Sequence, residues 1–217
     1  MVARVFTIAQ QKGGAGKTTL ACHLAVAFAN GAGKSAGTVA IVDIDPQQSL
    51  AAWHGLREKE LGKGNTGLQF SAVSGWRTQG EVERLKRDCD YVVIDSPPHA
   101  ETEARIAVRA ADLVILPVQP SPMDLWAIRP TLDLAQQEKR KVLLVFNRMP
   151  PRGRLAEAML DEAKKLGVPV ARATIGNRVG FAESLYAGKA VGEFSPSGRA
   201  AREIAALARE VLRASAR

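Results

Sequence analysis

The chain has 217 residues, 46% of them apolar and 24% charged, enough apolar material to bury a core without help from metals or disulfides. Its 30 Lys and Arg against 22 Asp and Glu leave a net charge of +8, which suits a polyanionic partner and equally suits a solubilising surface. No stretch approaches the ~20 apolar residues of a membrane span, the first residues lack a secretion cleavage site, and Cys22 and Cys89 read as buried reduced thiols, with no CxxC and no histidine at ligand spacing. A cytoplasmic protein with one domain over 1–217 is therefore expected.

Short β-branched runs alternate with longer helical patterns. In chain order the pattern predicts a strand "RVFTIA" (4–9), a helix 17–30, a strand "TVAIVDID" (38–45), a helix 47–61 and a strand "LQFSAV" (68–73). It continues with a helix 77–88, a strand "YVVID" (91–95), a helix 101–110, a strand "DLVILPV" (112–118), a helix 124–138 and a strand "KVLLVFN" (141–147). A helix 155–166, a weaker strand "PVARATI" (169–175) and helices 178–187 and 198–214 complete it, with surface loops at 61–67 and 147–154. Most of these strands are continuously apolar, as strands covered on both faces must be. The expected fold is α/β, a doubly wound, mainly parallel sheet with helices on both faces.

Ligands of such sheets bind beyond the carboxyl ends of the strands, where the glycine-rich turn after the first strand lies. There Gly16-Lys17-Thr18 closes a phosphate-binding pattern: backbone N–H groups cradle phosphate, Lys17 reaches the β and γ oxygens, and Thr18 ligates Mg²⁺. The standard pattern has glycine at position 11, where this chain has Gln11, and a second lysine, Lys12, opens the turn. Asp43 and Asp45 alternate along one strand, so both face the same side at its carboxyl end. Asp45–Pro46 also suits an ordinary helix start, an N-cap followed by proline at the first helical position. Asp95 ends "YVVID", and Pro97 and Pro98 behind it leave its carboxylate free.

Lys12-Gly13-Gly14-Ala15-Gly16-Lys17-Thr18-Thr19 is the signature of the deviant Walker A ATPases, and the chain resembles the ParA/MinD superfamily, most closely the short ParF-like partition ATPases. The resemblance runs through "VDIDPQQSLAAW" (42–53), "YVVIDSPP" (91–98), "DLVILPVQPSPMDLWA" (112–127) and "IGNRVGFAESLYAGKAV" (175–191). It implies that residues 13–19 hold ATP with Mg²⁺, and that Lys17 serves its own nucleotide while Lys12 reaches across an ATP-bound sandwich dimer. It further implies that Asp45 positions the attacking water, that Asp43 supports the Mg²⁺ shell, and that Asp95 is the Walker B carboxylate. Asn147 and Arg148 stand where relatives contact adenine, although an asparagine ending a strand also serves as a plain turn residue. No arginine finger is evident, so slow hydrolysis accelerated by a small partner protein is expected.

On the helix 198–214, Ile204, Leu207, Ala208, Val211 and Leu212 form an apolar stripe, with Arg202, Arg209 and Arg213 opposite and Arg199 and Arg217 at the margin. One reading is a solvated face partly balanced by Glu203 and Glu210. The other is a patch that tracks DNA phosphates without reading bases, extended by Arg172, Arg178 and Lys189. The resemblance thus implies a nucleoid-associated ATPase that segregates or positions a plasmid, a chromosome region or a protein cluster. With the loop starting at residue 12, no N-terminal operator-binding domain is expected. A MinD-like membrane cycler would need bulky apolar residues free in the tail, which ends "LRASAR". A metallocentre enzyme such as the nitrogenase iron protein would need cluster cysteines that Cys22 and Cys89 do not match.

Overall fold

The computed structural model describes residues 3–31, 36–98, 101–151 and 153–216. Among them, strands β1 (Arg4–Ile8), β2 (Val39–Asp43), β3 (Gln69–Ala72), β4 (Tyr91–Asp95), β5 (Leu113–Val118) and β6 (Lys141–Phe146) form one parallel sheet, ordered β3-β2-β4-β1-β5-β6. The chain runs from β1 through β2 to β3 towards one edge, returns to β4 beside β1, and runs on through β5 to β6 at the other edge, so the loop after β1 opens at the topological switch point. Alternation along the strands splits the core into two layers. Phe6, Ile8, Ile41, Val93, Ile115 and Val145 pack under α1 (Lys17–Ala29), α2 (Ser49–Leu61), α8 (Val179–Tyr186) and α10 (Arg199–Ser215). On the other face Val5, Val42, Val92 and Ile94 meet α3 (Thr78–Asp88) and α4 (Glu101–Ala110), while Leu116, Val118, Leu144 and Phe146 meet α5 (Pro122–Trp126), α6 (Arg129–Gln137) and α7 (Arg154–Lys164). Helix α1 is apolar nearly all round because it is central: Leu20, Ala21, Leu24, Ala25 and Phe28 are all fully buried.

Three departures from the sequence expectations have local causes. The helix expected at 124–138 is broken into α5 and α6. Ser121 caps α5, accepting a hydrogen bond from the Asp124 N–H at 3.1 Å, and Pro130 then cannot donate to the preceding turn, so a new helix starts at Arg129. The weak strand at 169–175 does not form; only isolated bridges join Val170 to Leu144 and Gly176 to Met149. The N–H groups of Arg172 and Ala173 go instead to the Glu210 carboxylate, at 2.8 and 2.9 Å. The third departure is α9 (Val191–Phe194), a four-residue helix too short to leave a periodic trace in the sequence.

This short helix fastens the layer that carries α10. Its Val191 N–H donates to Nδ1 of His23 on α1 at 3.3 Å, and both carboxylate oxygens of Glu193 take the Arg57 guanidinium of α2 at 2.7 Å. Arg57 is buried and also donates to the Thr66 and Gly188 carbonyls. Gly188 adopts φ +66°, and a Cβ there would stand 2.8 Å from the Leu56 backbone, so only glycine lets the two segments touch.

The α10 faces fall as the periodicity indicates, with Ile204, Leu207, Ala208 and Val211 buried and Arg199, Arg202, Arg209 and Arg213 exposed. Arg217 lies outside the described residues. Glu203 and Glu210 are not simple charge balance on a solvated face. Glu203 accepts the Gly176 N–H and pairs with Arg178, whose Nε stands 3.0 Å from the carboxylate, while Glu210 holds the 172–173 backbone. Arg178, expected to extend the basic patch, is thus committed to clamping the 176–178 segment onto α10. No helix of the described residues is long and apolar enough to cross a membrane.

His23 supplies a pH test of this packing. Burial holds its imidazole at about 4, against 6.5 for a free histidine, so the unfolded chain takes up the proton first. Stability is then intact above 6.5 and falls as pH drops towards about 4. The variant His23→Asn retains an acceptor for the Val191 N–H and should lose less Tm over that window than the parent. Equal slopes in the two proteins would assign the acid limb to carboxylates alone.

Candidate active site

Three strand ends converge on the loop after β1. Gly14 and Gly16 take φ +77° and +89°, conformations that a side chain would strain, and α1 begins directly after them with its N–H groups facing the loop. The loop is propped from β5 and β6. Gln119 donates to the Gly14 carbonyl at 3.1 Å, and Asn147, almost fully buried, donates from Nδ2 to the Ala15 carbonyl at 2.8 Å. A Cβ on Gly16 would lie 2.3 Å from that same Nδ2. The Asn147 amide, expected to meet a base, is therefore occupied with holding the loop, and its Oδ1 accepts the Arg148 N–H.

The charged groups are arranged in depth. Lys17 is buried at the start of α1, and burial lowers its pKa against the pull of Asp95 and Asp45. The Thr18 hydroxyl donates to Oδ2 of Asp95 at 2.6 Å, while Oδ1 of Asp95 is buried without a partner. Burial raises the Asp95 carboxyl to about 7, with Asp43 and Asp45 adding to the shift and Thr18 and Lys17 opposing it. Asp43 has a different use: its two oxygens accept the Asp45 and Ala51 N–H groups at 3.0 and 2.9 Å, tying down the start of α2. Asp45 is partly exposed, lines the cleft with Lys17 and Thr18, and accepts the Gln47 N–H at 2.9 Å, so it also shapes the turn into α2.

Lys12 is tied to α5. Its Nζ forms an ion pair with Asp124 of α5 at 2.8 Å; the lysine side chain is 39% exposed and the aspartate buried. Its backbone N–H reaches Oε1 of Gln10 at 3.3 Å. Gln10, Gln119 and Asp124 were not assigned from the sequence; two of them lie in the quoted "DLVILPVQPSPMDLWA", but nothing in that stretch separates a loop-holding side chain from a core one.

Two clefts meet at the loop. One of about 560 Å³ runs from Gly13, Gly14, Lys17, Thr18, Thr19 and Asp45 between α2 and α8. The other, about 410 Å³, is lined by Thr19, Asn147, Arg148 and Gly176 to Val179. Residues 13–19, Asp45, Asp95, Asn147 and Arg148 are thus gathered at one place. The exposed arginines of α10 lie on the outer face of their helix, outside both clefts.

A parallel sheet whose first loop presents N–H groups, a buried lysine and a hydroxyl beside an unpaired carboxylate oxygen defines a P-loop nucleotide-binding protein. Residues 6–191 match the CobQ/CobB/MinD/ParA nucleotide binding domain, and the chain belongs to that family. It is 30% identical over 215 residues to the maintenance of carboxysome distribution protein A of Halothiobacillus neapolitanus, covering 94% of both chains. It is 27% identical over 157 residues to the chromosome partitioning protein ParA of Myxococcus xanthus, covering 54% of this chain and 53% of that one. Among solved structures, the fold matches an ATP complex of a Cyanothece McdA variant with a TM-score of 0.79, 18% identity and 97% and 96% of the two chains covered. The cell division ATPase MinD of Pyrococcus furiosus matches with a TM-score of 0.79, 21% identity and 97% and 99% coverage.

The loop geometry predicts a graded loss. Asn147→Ala removes the hydrogen bond that props the loop at Ala15, together with the one from the Arg148 N–H, and should weaken ADP binding by roughly tenfold. Gly16→Ala, which combines a clash with the Asn147 amide and a strained φ, should abolish it, and adding Asn147→Ala should not restore it because the positive φ persists. Calorimetric titration of folded variants checks this; restored binding in the double variant would mean that the clash alone matters.

Proposed function

We propose that this protein is a Mg²⁺-dependent ATP hydrolase of the ParA type. It pairs with a second copy when ATP is bound, binds DNA without sequence preference and distributes a cargo, with a partner protein accelerating hydrolysis. The observation that carries this is Lys12. A second lysine beside the phosphate loop, half-exposed and held by Asp124, would be spare for the protein's own nucleotide and available to a facing copy. Exposed Trp76, Met123, Trp126 and Leu155, in the segments that follow the carboxyl ends of β3, β5 and β6, favour a face that becomes covered. The relative named for carboxysome distribution, matched along nearly the whole chain, favours a positioning role over a biosynthetic one.

The residues suit Mg²⁺. Among the described residues no cluster of three or more His, Cys, Asp or Glu could hold a metal unaided, as expected where phosphate oxygens complete the shell. The Thr18 hydroxyl and the unpartnered Oδ1 of Asp95 would hold it, directly or through water. When bound, the ion would offset charge on the β and γ phosphates. Lys17 and the loop N–H groups would orient the phosphates, Arg148 would border the base, and Asp45 would place the attacking water. Catalysis is then mostly positioning, and an outside cation supplied by the partner would complete it. A membrane anchor at α10 is disfavoured because its apolar stripe is buried.

Two measurements test the scheme. Lys17→Ala should lose nucleotide binding, whereas Lys12→Ala should bind a nonhydrolysable ATP analogue yet sediment as a monomer; a dimeric Lys12→Ala protein would remove the role across the interface. For DNA, Arg202, Arg209 and Arg213 with their counterparts on a second copy would neutralise about six phosphates, giving a log–log salt slope of roughly −5. The double variant Arg202→Glu/Arg209→Glu should abolish DNA binding and spare pairing. ATP-dependent binding to anionic vesicles, with none to DNA, would replace this reading by a membrane-bound one.

A further inference from the structure

The amino edge of the sheet, opposite the phosphate loop, carries a cleft of about 400 Å³ that shares no lining residue with the two clefts at the loop. Arg4 at the start of β1 lines it, with Lys139, Arg140 and Lys141, which join α6 to β6. Lys139 and Lys141 are exposed, and among the described residues none of these three successive cations has an ion pair. Elsewhere on the surface Arg84, Lys86, Lys164 and Lys165 each pair with a carboxylate three positions away. The neighbouring carboxylate in sequence, Glu138, is turned to Arg105 and Arg109 of α4. Asp112 also lines the cleft, and its Oδ2 already accepts the Val5 N–H at 2.8 Å. A cation at the end of a helix suits the helix dipole, but Lys139 stands there with a strained backbone. The Lys139 and Arg140 N–H groups bond back to the Gln136 and Ala135 carbonyls at 3.0 and 2.8 Å, closing α6 with Lys139 at φ +54°, the left-handed position that glycine fits without strain. A lysine in that place gains nothing for the fold over glycine, so its charge is what it adds.

We propose that this edge is a second phosphate-contact surface for DNA, continuing the basic ridge of α10 onto the amino end of the sheet. The proposal rests on the reading that the paired protein binds DNA through α10. The two surfaces are joined: Nη1 of Arg4 donates to the Leu212 carbonyl and to Oγ of Ser215 in the last turn of α10, at 2.9 and 3.1 Å, and Ser215 lines the cleft beside the lysines. Arg213, exposed in that same turn, leads from the ridge to the cleft. The Arg4 guanidinium is engaged in this joint and lies over the Tyr91 ring, 5.3 Å from its centre, so it fixes the geometry while Lys139 and Lys141 are left to meet phosphate. Contacts of this kind release counterions and position a duplex without reading its bases. DNA suits the surface better than an acidic peptide because the cleft continues a ridge about 25 Å long, the length of α10, and a polynucleotide supplies an unbroken line of negative charge over that span.

The probe is a random-sequence DNA duplex, titrated at several salt concentrations into the full chain with Mg²⁺ and a nonhydrolysable ATP analogue. The α10 arginines alone give a log–log slope of roughly −5; Lys139 and Lys141 on both copies add about four phosphates and should bring it to roughly −9. Lys139→Gly/Lys141→Gln should return the slope to roughly −5, with analogue-driven pairing in sedimentation unchanged. Lys139→Gly alone should give roughly −7 and raise Tm by about 2 °C, because it relieves the left-handed strain. Weaker binding by a more stable protein cannot come from misfolding. A parent slope near −5, or equal slopes in the parent and the double variant, overturns the proposal and leaves the α10 contacts standing. Variants that keep the parent's slope on DNA but lose binding to anionic vesicles overturn it too, assigning the edge to a membrane. A parent that pairs on the analogue and binds no DNA would instead overturn the DNA reading itself.

Discussion

A single buried carboxyl group governs the chemistry of the sheet's carboxyl edge. Asp95 has no exposure, its carboxyl is lifted to about 7 by burial, and one of its oxygens has no partner in the protein. Lys17 is the complement, a buried ammonium whose charged form is disfavoured by the same loss of water. Each group is unfavourable where it stands, and each is relieved by something absent from the chain: an anion for the lysine, a cation for the aspartate. A site of this kind gives up stability when empty and recovers it on binding. The neighbouring Asp43 shows the contrast, since each of its oxygens already accepts a backbone N–H, from Asp45 and from Ala51 of α2.

The same economy appears in the layer above the sheet. The Arg57–Glu193 pair is largely buried, and a pair of that kind contributes little net stability against apolar residues of similar size, although losing one partner alone costs about 3–5 kcal/mol. Its value lies in register. With the His23 contact it leaves α9 one way to sit, and α9 in turn leads into α10. The basic face of α10 is presented outward because its acidic residues are turned towards the 172–178 segment.

Much of this was legible in the sequence because it follows from spacing. The apolar runs, continuous in most strands though not in β3, located all six strands, and the loop and Asp95 stand at strand ends as read, while β2 stops at Asp43 and leaves Asp45 in the turn before α2. What stayed hidden depends on partners distant in the chain. That Lys12 meets Asp124, that Asn147 supports Ala15, and that Glu210 intercepts the N–H groups a seventh strand would have used are contacts over 37 to 132 positions, invisible to periodicity. The break between α5 and α6 was present as Pro130, yet a proline near a helix start and one inside a helix look alike until the cap at Ser121 is known. Arg178 was misjudged for a related reason, since an arginine on a basic surface and one paired with Glu203 have the same letter.

The fastening of α9 has a mechanical consequence. A load applied to the outer ridge of α10 passes to the rest of the molecule partly through one buried ion pair and one imidazole contact, with α1 at one anchor and α2 at the other. Both anchored helices begin at the phosphates: α1 carries Lys17, and α2 starts just after Asp45. Strain on that ridge is thereby delivered to the two helices that flank the phosphate loop, so a pull on α10 and the geometry of the loop are felt through the same small joint.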